Sequence, residues 1–268
     1  MNVVVIIQAR MNSTRLQGKV LLPLAGKPLL ERMIERVRYA RTHFRLIVAT
    51  TTDPADDPIR NLCAELGVEC FSGDPYDLLD RHYRCARWVD ATAVVKIPSD
   101  CPLIDPNVID LVLAKFIATY PQYDYVSNLH PATFPDGNDV EIMKFSILEK
   151  AWHEASKDFE REHTTPYIWE QPNRFTIGNV KLSGCDMSMS HRWTIDYEDD
   201  YRLIALVFQE LYLPRRPVFT MHEILDLIYR KPEIAQINAH YAGVNWYRNH
   251  LHELKTINAK HTRFETAA

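Results

Sequence analysis

Residues 3–7, Val-Val-Val-Ile-Ile, form an unbroken apolar run of the kind a strand buried on both faces carries. The period then changes. Over 28–41 the apolar residues Leu29, Leu30, Met33, Ile34 and Val37 share one helical face, with Pro28 at the first turn. A strand over 46–50 follows, then a helix over 54–66 carrying Ile59, Leu62, Cys63 and Leu66 that stops at Gly67. A strand at 68–71, a helix at about 75–89, a strand at 93–97 and a helix from Pro106 complete the series. Strands alternating with helices of this length predict an α/β fold, a doubly wound and mainly parallel sheet with right-handed crossovers.

Past Tyr120 the rhythm breaks. Strands near 124–127, 139–143 and 175–181 are interleaved with helices near 145–156 and 162–170, which reads as an inserted α+β segment over about 120–185. Residues 192–195 read as a returning sheet strand, followed by helices near 199–211 and 220–230. This gives a main domain over 1–236 and a C-terminal helical tail over 237–268.

Composition adds little, with 46% hydrophobic and 25% charged residues in 268. Charge adds more. The net of −4 hides a local +7 over residues 1–45, so an anion is expected near the amino terminus, while nucleic acid is not an expected partner. No apolar stretch approaches the length of a membrane span, and the cytoplasm is the expected compartment. Cys63, Cys70, Cys85, Cys101 and Cys185 lack CxxC spacing, and buried free thiols are expected.

The segment Gln8-Ala9-Arg10-Met11-Asn12-Ser13-Thr14-Arg15-Leu16-Gln17-Gly18-Lys19 follows the first strand directly. Its three cations and exposed backbone N–H groups suit a triphosphate, or else a solvated basic loop. It is not a Walker loop, and no GxGxxG, HExxH or GxSxG occurs. The pairs Asp53-Pro54, Asp74-Pro75 and Asp105-Pro106 each precede a predicted helix and read as caps. Asp100 lies beyond the carboxyl end of the 93–97 strand, where ligands of open α/β sheets collect, and serves as a metal or substrate group or as a turn carboxylate. Asp196 stands similarly after 192–195. Asp139 and Glu141 alternate onto one face, for a metal, sugar hydroxyls or solvent. His163 sits in the polar run Arg161-Glu162-His163-Thr164-Thr165, for structural hydrogen bonding or catalysis.

Ala9 to Lys19 resembles the nucleotide loop ARxxSTRLPGKxL of the sugar-acid cytidylyltransferases of the 3-deoxy-manno-octulosonate type, with Gln17 in place of the proline. Asp100-Cys101-Pro102-Leu103-Ile104 resembles that superfamily's GDxPLI segment, and Arg192-Trp193-Thr194-Ile195-Asp196 its RLTVD segment. Residues 79–83, 135–141, 161–167 and 192–204 resemble the branch named for the spore coat polysaccharide protein SpsF. The resemblance implies a nucleotidyltransferase fold with a dimerising or lid insertion, and transfer of cytidylate from CTP to a sugar or sugar-acid hydroxyl with Mg²⁺, in surface polysaccharide or glycan synthesis. It implies that Arg10, Arg15 and Lys19 meet the phosphates, Arg10, Lys19 and Asp100 being catalytic, and that Asp100 and Asp196 hold the metal. Gln8, Ala9, Ser13, Thr50, Ser72 and Gly73 are the further expected nucleotide contacts, and Asp139, Glu141, Arg161 and His163 the expected acceptor contacts. A homodimer is the implied assembly. A glycosyltransferase using a nucleotide-sugar donor and a non-catalytic pathway subunit are the alternatives.

Overall fold

Strand β1 (Val3–Gln8) alternates its side chains across the sheet, Val3, Val5 and Ile7 into one core and Val4 and Ile6 into another. That two-sided burial is why its sequence is a continuous apolar run. In this computed structural model, which describes residues 1–264, β1 is the third strand of a seven-stranded sheet. Two short strands, β2 (Pro23–Leu24) and β3 (Lys27–Pro28), pair separately ahead of helix α1 (Leu29–Arg38). The sheet continues with β4 (Arg45–Thr51), β5 (Glu69–Gly73), β6 (Ala93–Pro98), β7 (Tyr125–Ser127), β8 (Glu141–Lys144) and β9 (Ile177–Asn179). Its order is β5-β4-β1-β6-β8-β7-β9, and β8 alone among these runs antiparallel to β1. Successive strands step outward from β1 to β4 and β5, then cross back to β6 on the far side of β1. The order therefore reverses between β1 and β6, opening a crevice at their carboxyl ends.

Helices α2 (Asp57–Glu65), α3 (Leu78–Trp88) and α4 (Pro106–Ala118) link the first strands. The helix expected from 54 is divided: Asp53 caps a 3₁₀ turn (Pro54–Asp56), and α2 begins at Asp57-Pro58, a second Asp-Pro pair. The cap of α3 is Asp77 rather than Asp74, because Asp74 accepts from the Tyr76 and Asp77 amides and folds the chain into a turn before the helix starts. The helix expected over 162–170 is likewise two, α6 (Asp158–His163) and α7 (Pro166–Trp169), behind α5 (Phe145–Glu154). Thr164, at φ 72°, and Pro166 interrupt it.

The expected strand over 192–195 is a correction. Its backbone donors go to loops, Trp193 N–H to Asp136 O (2.7 Å) and Ile195 N–H to Asp100 O (2.8 Å), so it ties two loops together instead of joining the sheet. Helices α8 (Glu198–Leu211), α9 (Met221–Arg230) and α10 (Pro232–Gln236) follow. The segment 120–185 contributes β7, β8 and β9 to the same sheet. The tail, expected to be helical, has three 3₁₀ turns at 239–241, 246–249 and 259–261 among its described residues, and 265–268 lie outside them. No described helix is long and apolar enough to cross a membrane. The cysteines are free; Cys63, Cys85 and Cys101 are buried as expected, but Cys70 is half-buried and Cys185 exposed.

Candidate active site

A cavity of about 860 Å³ lies over the carboxyl ends of β1 and β6. Gln8 enters it from the end of β1 and Ala9 just beyond, Lys96 and Pro98 from β6, and Glu141 from the start of antiparallel β8. The loop after β1 supplies Arg10, Ser13, Arg15 and Lys19, all on the cavity wall. Two devices shape that loop. Gly18, at φ 67°, turns the chain into the 3₁₀ segment that starts at Lys19, a backbone angle glycine adopts without strain. Asp56, buried and unremarked in the sequence, accepts from Met11 N–H (2.7 Å), Thr50 Oγ1 (3.0 Å) and Thr51 N–H (3.1 Å), fastening the loop to the end of β4.

Lys19 is the centre of the charge network. Its Nζ donates to Ile195 O (2.6 Å) and Asp196 Oδ1 (3.0 Å) and lies 3.3 Å from Asp100 Oδ2. Burial opposes its charge, but Asp100 and Asp196 overcome that and raise its pKa. Asp196 also takes Arg15 (2.6 Å) and Arg192 (3.0 Å). Burial alone would raise the Asp196 carboxyl; Lys19, Arg15 and Arg192 hold it down at about 2. Arg192 is itself spent on Asp200 (2.9 Å), Asp136 (3.4 Å) and Val244 O (2.8 Å).

Two further carboxylates line the wall with weaker compensation, Arg192 reaching Asp136 at 3.4 Å and Lys96 acting on Asp139 from a distance. Burial, with Asp100 nearby, pushes Asp139 up to about 6, and burial together with Asp139 raises Asp136 well above the usual range. Gly137 between them, at φ 105°, is required by contact as well as by backbone angle. A Cβ there would lie 2.6 Å from the Trp193 carbonyl carbon, so only glycine lets this loop touch the 192–196 segment.

Beyond β6 the wall becomes aromatic. Lys96 Nζ pairs with Glu141 (2.5 Å), which also accepts from Tyr125 (2.6 Å). His163 stacks on Trp246 at 3.9 Å and His130 on Trp169 at 4.1 Å. Burial lowers His163 to about 3 and His130 to about 4, so both rings are neutral near pH 7. Gln8 Oε1 and His130 Nδ1 are buried without a partner. Such orphaned polar atoms on a cavity wall await a ligand or water.

Of the residues singled out from the sequence, Gln8, Ala9, Arg10, Ser13, Arg15, Lys19, Asp100, Asp139, Glu141, His163 and Asp196 share this cavity. Four stand outside its wall. Thr50 turns its hydroxyl to Asp56, Ser72 is exposed on β5, and Gly73 gives its carbonyl to Thr52 N–H. Arg161 points away, binding Asp77 and the Trp152 carbonyl. Lys96, Asp56, Trp246 and Tyr247 escaped sequence reasoning. Lys96 alone had a signal, a charge inside an otherwise apolar strand.

The donor set fits a divalent ion. Asp100 Oδ2 and Asp196 Oδ1 converge on one cation, the Lys19 ammonium, and are hard oxygen donors. No group of three His, Cys, Asp or Glu side chains among the described residues forms a metal cage, so substrate oxygens or water would have to complete the coordination.

Comparison with known proteins adds sequence breadth to this geometry. A cytidylyltransferase family model matches residues 4–243. The chain is 34% identical over 239 residues to "Uncharacterized protein MJ1063" of Methanocaldococcus jannaschii, covering 89% of this chain and 95% of that one. It is 29% identical to the spore coat polysaccharide biosynthesis protein SpsF of Bacillus subtilis, covering 87% and 97%. Among solved structures, a cytidylyltransferase from Leptospira borgpetersenii superposes with a TM-score of 0.83 at 32% identity, over 88% of this chain and 97% of that one. CMP:2-keto-3-deoxy-manno-octonic acid synthetase complexed with CTP shares the fold, with a TM-score of 0.62 at 17% identity over 79% and 100%.

Proposed function

The chain belongs to the cytidylyltransferase family, and from that membership we propose that it transfers the cytidylyl group of CTP to a hydroxyl of a sugar or sugar acid with release of pyrophosphate. The acceptor oxygen forms a bond to the α-phosphorus as the bond to the bridging oxygen of pyrophosphate breaks, and the acceptor's proton leaves to solvent or a nearby base. No covalent intermediate with the protein is needed. The observation that carries the reading is the convergence of Lys19, Asp100 and Asp196 over the β1/β6 crevice, beside the loop that holds Arg10 and Arg15.

Arg10, Arg15 and Lys19 neutralise and orient the triphosphate, and the buried Arg192 keeps Asp196 ionised and fixed. Asp100 and Asp196 would hold Mg²⁺, which supplies charge neutralisation at the phosphate oxygens. The β8 side of the cavity, with Asp139, Glu141 and His163, receives the acceptor. Its product would feed the building of a surface polysaccharide or glycan, and the segment 120–185 would pair two copies as a closed dimer. Pyrophosphate release from each nucleoside triphosphate, with Mg²⁺ and a panel of sugars and sugar acids, tests the reading. CTP should be preferred by at least about tenfold; release from none of the four opposes it.

A further inference from the structure

The carboxyl-terminal halves of β1 and β6 and the start of β8 carry polar side chains that the triphosphate chemistry leaves unused. Val4 and Ile6 of β1 face the second core, and strand alternation turns Gln8 to the same side. Val94 faces that core from β6, so Lys96 follows it. Lys96 stands level with Ile6 on one neighbouring strand and with Glu141 on the other, and Gln8 lies two residues past Ile6. Gln8, Lys96 and Glu141 therefore share one sheet face, and all three line the cavity.

Hydrogen-bonding capacity on this face is uneven. Glu141 accepts from Lys96 Nζ (2.5 Å) and the Tyr125 hydroxyl (2.6 Å), with the Thr165 side chain as a further donor. Lys96 is less occupied: Glu141 is its one acceptor among the described residues, and an ammonium has three donors. Gln8 Oε1 and His130 Nδ1 are buried and have no partner, and the charges of Lys96 and Glu141 both act on the His130 ring. An ammonium with N–H bonds to give, beside two unmatched side-chain atoms, complements hydroxyls, each of which both accepts and donates. The adjoining wall is aromatic, with His163 stacked on Trp246 and His130 on Trp169. Aromatic area with a few polar groups that fix orientation suits a hydroxylated ring, whose C–H faces are apolar.

We infer that Lys96 is a specificity-determining residue for the acceptor: its ammonium, held in place by Glu141, binds one ring hydroxyl, while Gln8 Oε1 and His130 Nδ1 match the adjacent one. The ligand class is a sugar ring with vicinal hydroxyls, whatever its net charge. The inference rests on the cytidylyl-transfer reading and moves Gln8, expected on the nucleotide, to the acceptor.

The test uses the full-length enzyme with saturating CTP and Mg²⁺, and compares each sugar or sugar acid that supports pyrophosphate release with its monodeoxy analogues. In wild type, removing either member of one adjacent hydroxyl pair should raise the acceptor KM at least about tenfold. Gln8→Met removes an oxygen that has no partner to lose, so it should fold as wild type. It should raise the KM for the parent sugar about tenfold, bind one deoxy analogue as well as the parent, and keep the KM for CTP within about twofold. Lys96→Met should do the same for the other hydroxyl, at a lower melting temperature because Glu141 loses its counter-ion. Should Lys96→Met fail to fold, Gln8→Met decides alone. Unchanged parent-to-deoxy ratios in Gln8→Met overturn the inference, and mean that water alone fills this face. A rise in the KM for CTP without one for the acceptor also overturns it and returns Gln8 to the nucleotide, as does a wild type indifferent to every deoxy substitution; all three results leave cytidylyl transfer standing. Release with no acceptor of any class removes the transfer reading and the inference with it.

Discussion

Asp100 and Asp196 share the Lys19 ammonium but differ in what else holds them. The Asp100 side chain bonds little besides Lys19, its carbonyl taking Ile195 N–H and Thr194 Oγ1, whereas Asp196 receives three cations and is well buried. Asn at either position should lower turnover at least about a hundredfold, since metal-assisted charge stabilisation is commonly worth several kcal/mol. The two variants should separate in stability. Asp100→Asn should melt close to wild type, while Asp196→Asn should lose about 1–3 kcal/mol by leaving buried cations less compensated. Equal melting temperatures for the pair would contradict this, and calorimetry decides it. Asp139 predicts a pH effect of opposite sense to that of Asp196. Its folded pKa, raised from 3.8 to about 6, favours the neutral form, so this contribution is full below about 3.8 and is lost as pH rises through 6. The Asp196 contribution is present above 3.8 and is lost only as pH falls toward 2. Between pH 5 and 7.5 Asp139→Asn should therefore gain melting temperature on wild type as pH rises, while the buried neutral His130 and His163 act in the opposite sense in both proteins; a difference that does not change with pH opposes the assignment. At this scale Arg10, Arg15, Lys19 and Asp100 were legible, because they stand in the loops directly after strands; Asp196 was singled out on the same ground, although 192–195 is no sheet strand. Arg161 was misleading: its neighbours in sequence face the cavity, but Asp77, 84 residues away, captures it.

Asp105 shows how an element's cap can serve a second element. One carboxylate oxygen accepts from Asn107 N–H (2.8 Å) and caps α4, while the other accepts from Met221 N–H (2.6 Å) at the start of α9. Asp105→Asn keeps the cap but turns an amide donor toward the Met221 donor or forfeits one bond. It should cost about 1–3 kcal/mol in denaturant unfolding, with kcat within about threefold of wild type at permissive temperature. Wild-type stability would show that the α4–α9 link is immaterial. Gly137→Ala should be worse for activity than for folding, because the clash falls on the backbone that sets Asp196 against the 135–139 loop. The alternation of apolar runs made β1, β4, β6 and their helices legible. Residues 192–195 carry the same strand-like pattern, but Trp193 and Ile195 bury themselves between loops, and periodicity reports burial without naming the partner.

For the whole molecule, the reversal of strand order between β1 and β6 places the loop after β1 and the Asp100 loop on the two sides of one crevice. The doubly wound, mainly parallel sheet followed from the strand–helix rhythm. The tail did not. Its amphipathic, Asn/His-rich sequence reads as helical, yet it forms 3₁₀ turns placed by anchoring contacts to Glu170 and Arg192 that are remote in sequence. A pair of copies joined through 120–185 should sediment at twice 31.2 kDa at micromolar concentration, and a particle of 31.2 kDa would oppose that assembly. The central claim is cytidylyl transfer directed by the Lys19–Asp100–Asp196 cluster. The most direct measurement is pyrophosphate release from CTP with Mg²⁺ and a sugar-acid panel, comparing wild type with Asp100→Asn at matched folded concentration. Acceptor-dependent release that falls at least about a hundredfold in the variant is the predicted result; release that persists unchanged in Asp100→Asn, or is absent from wild type with every acceptor, contradicts it.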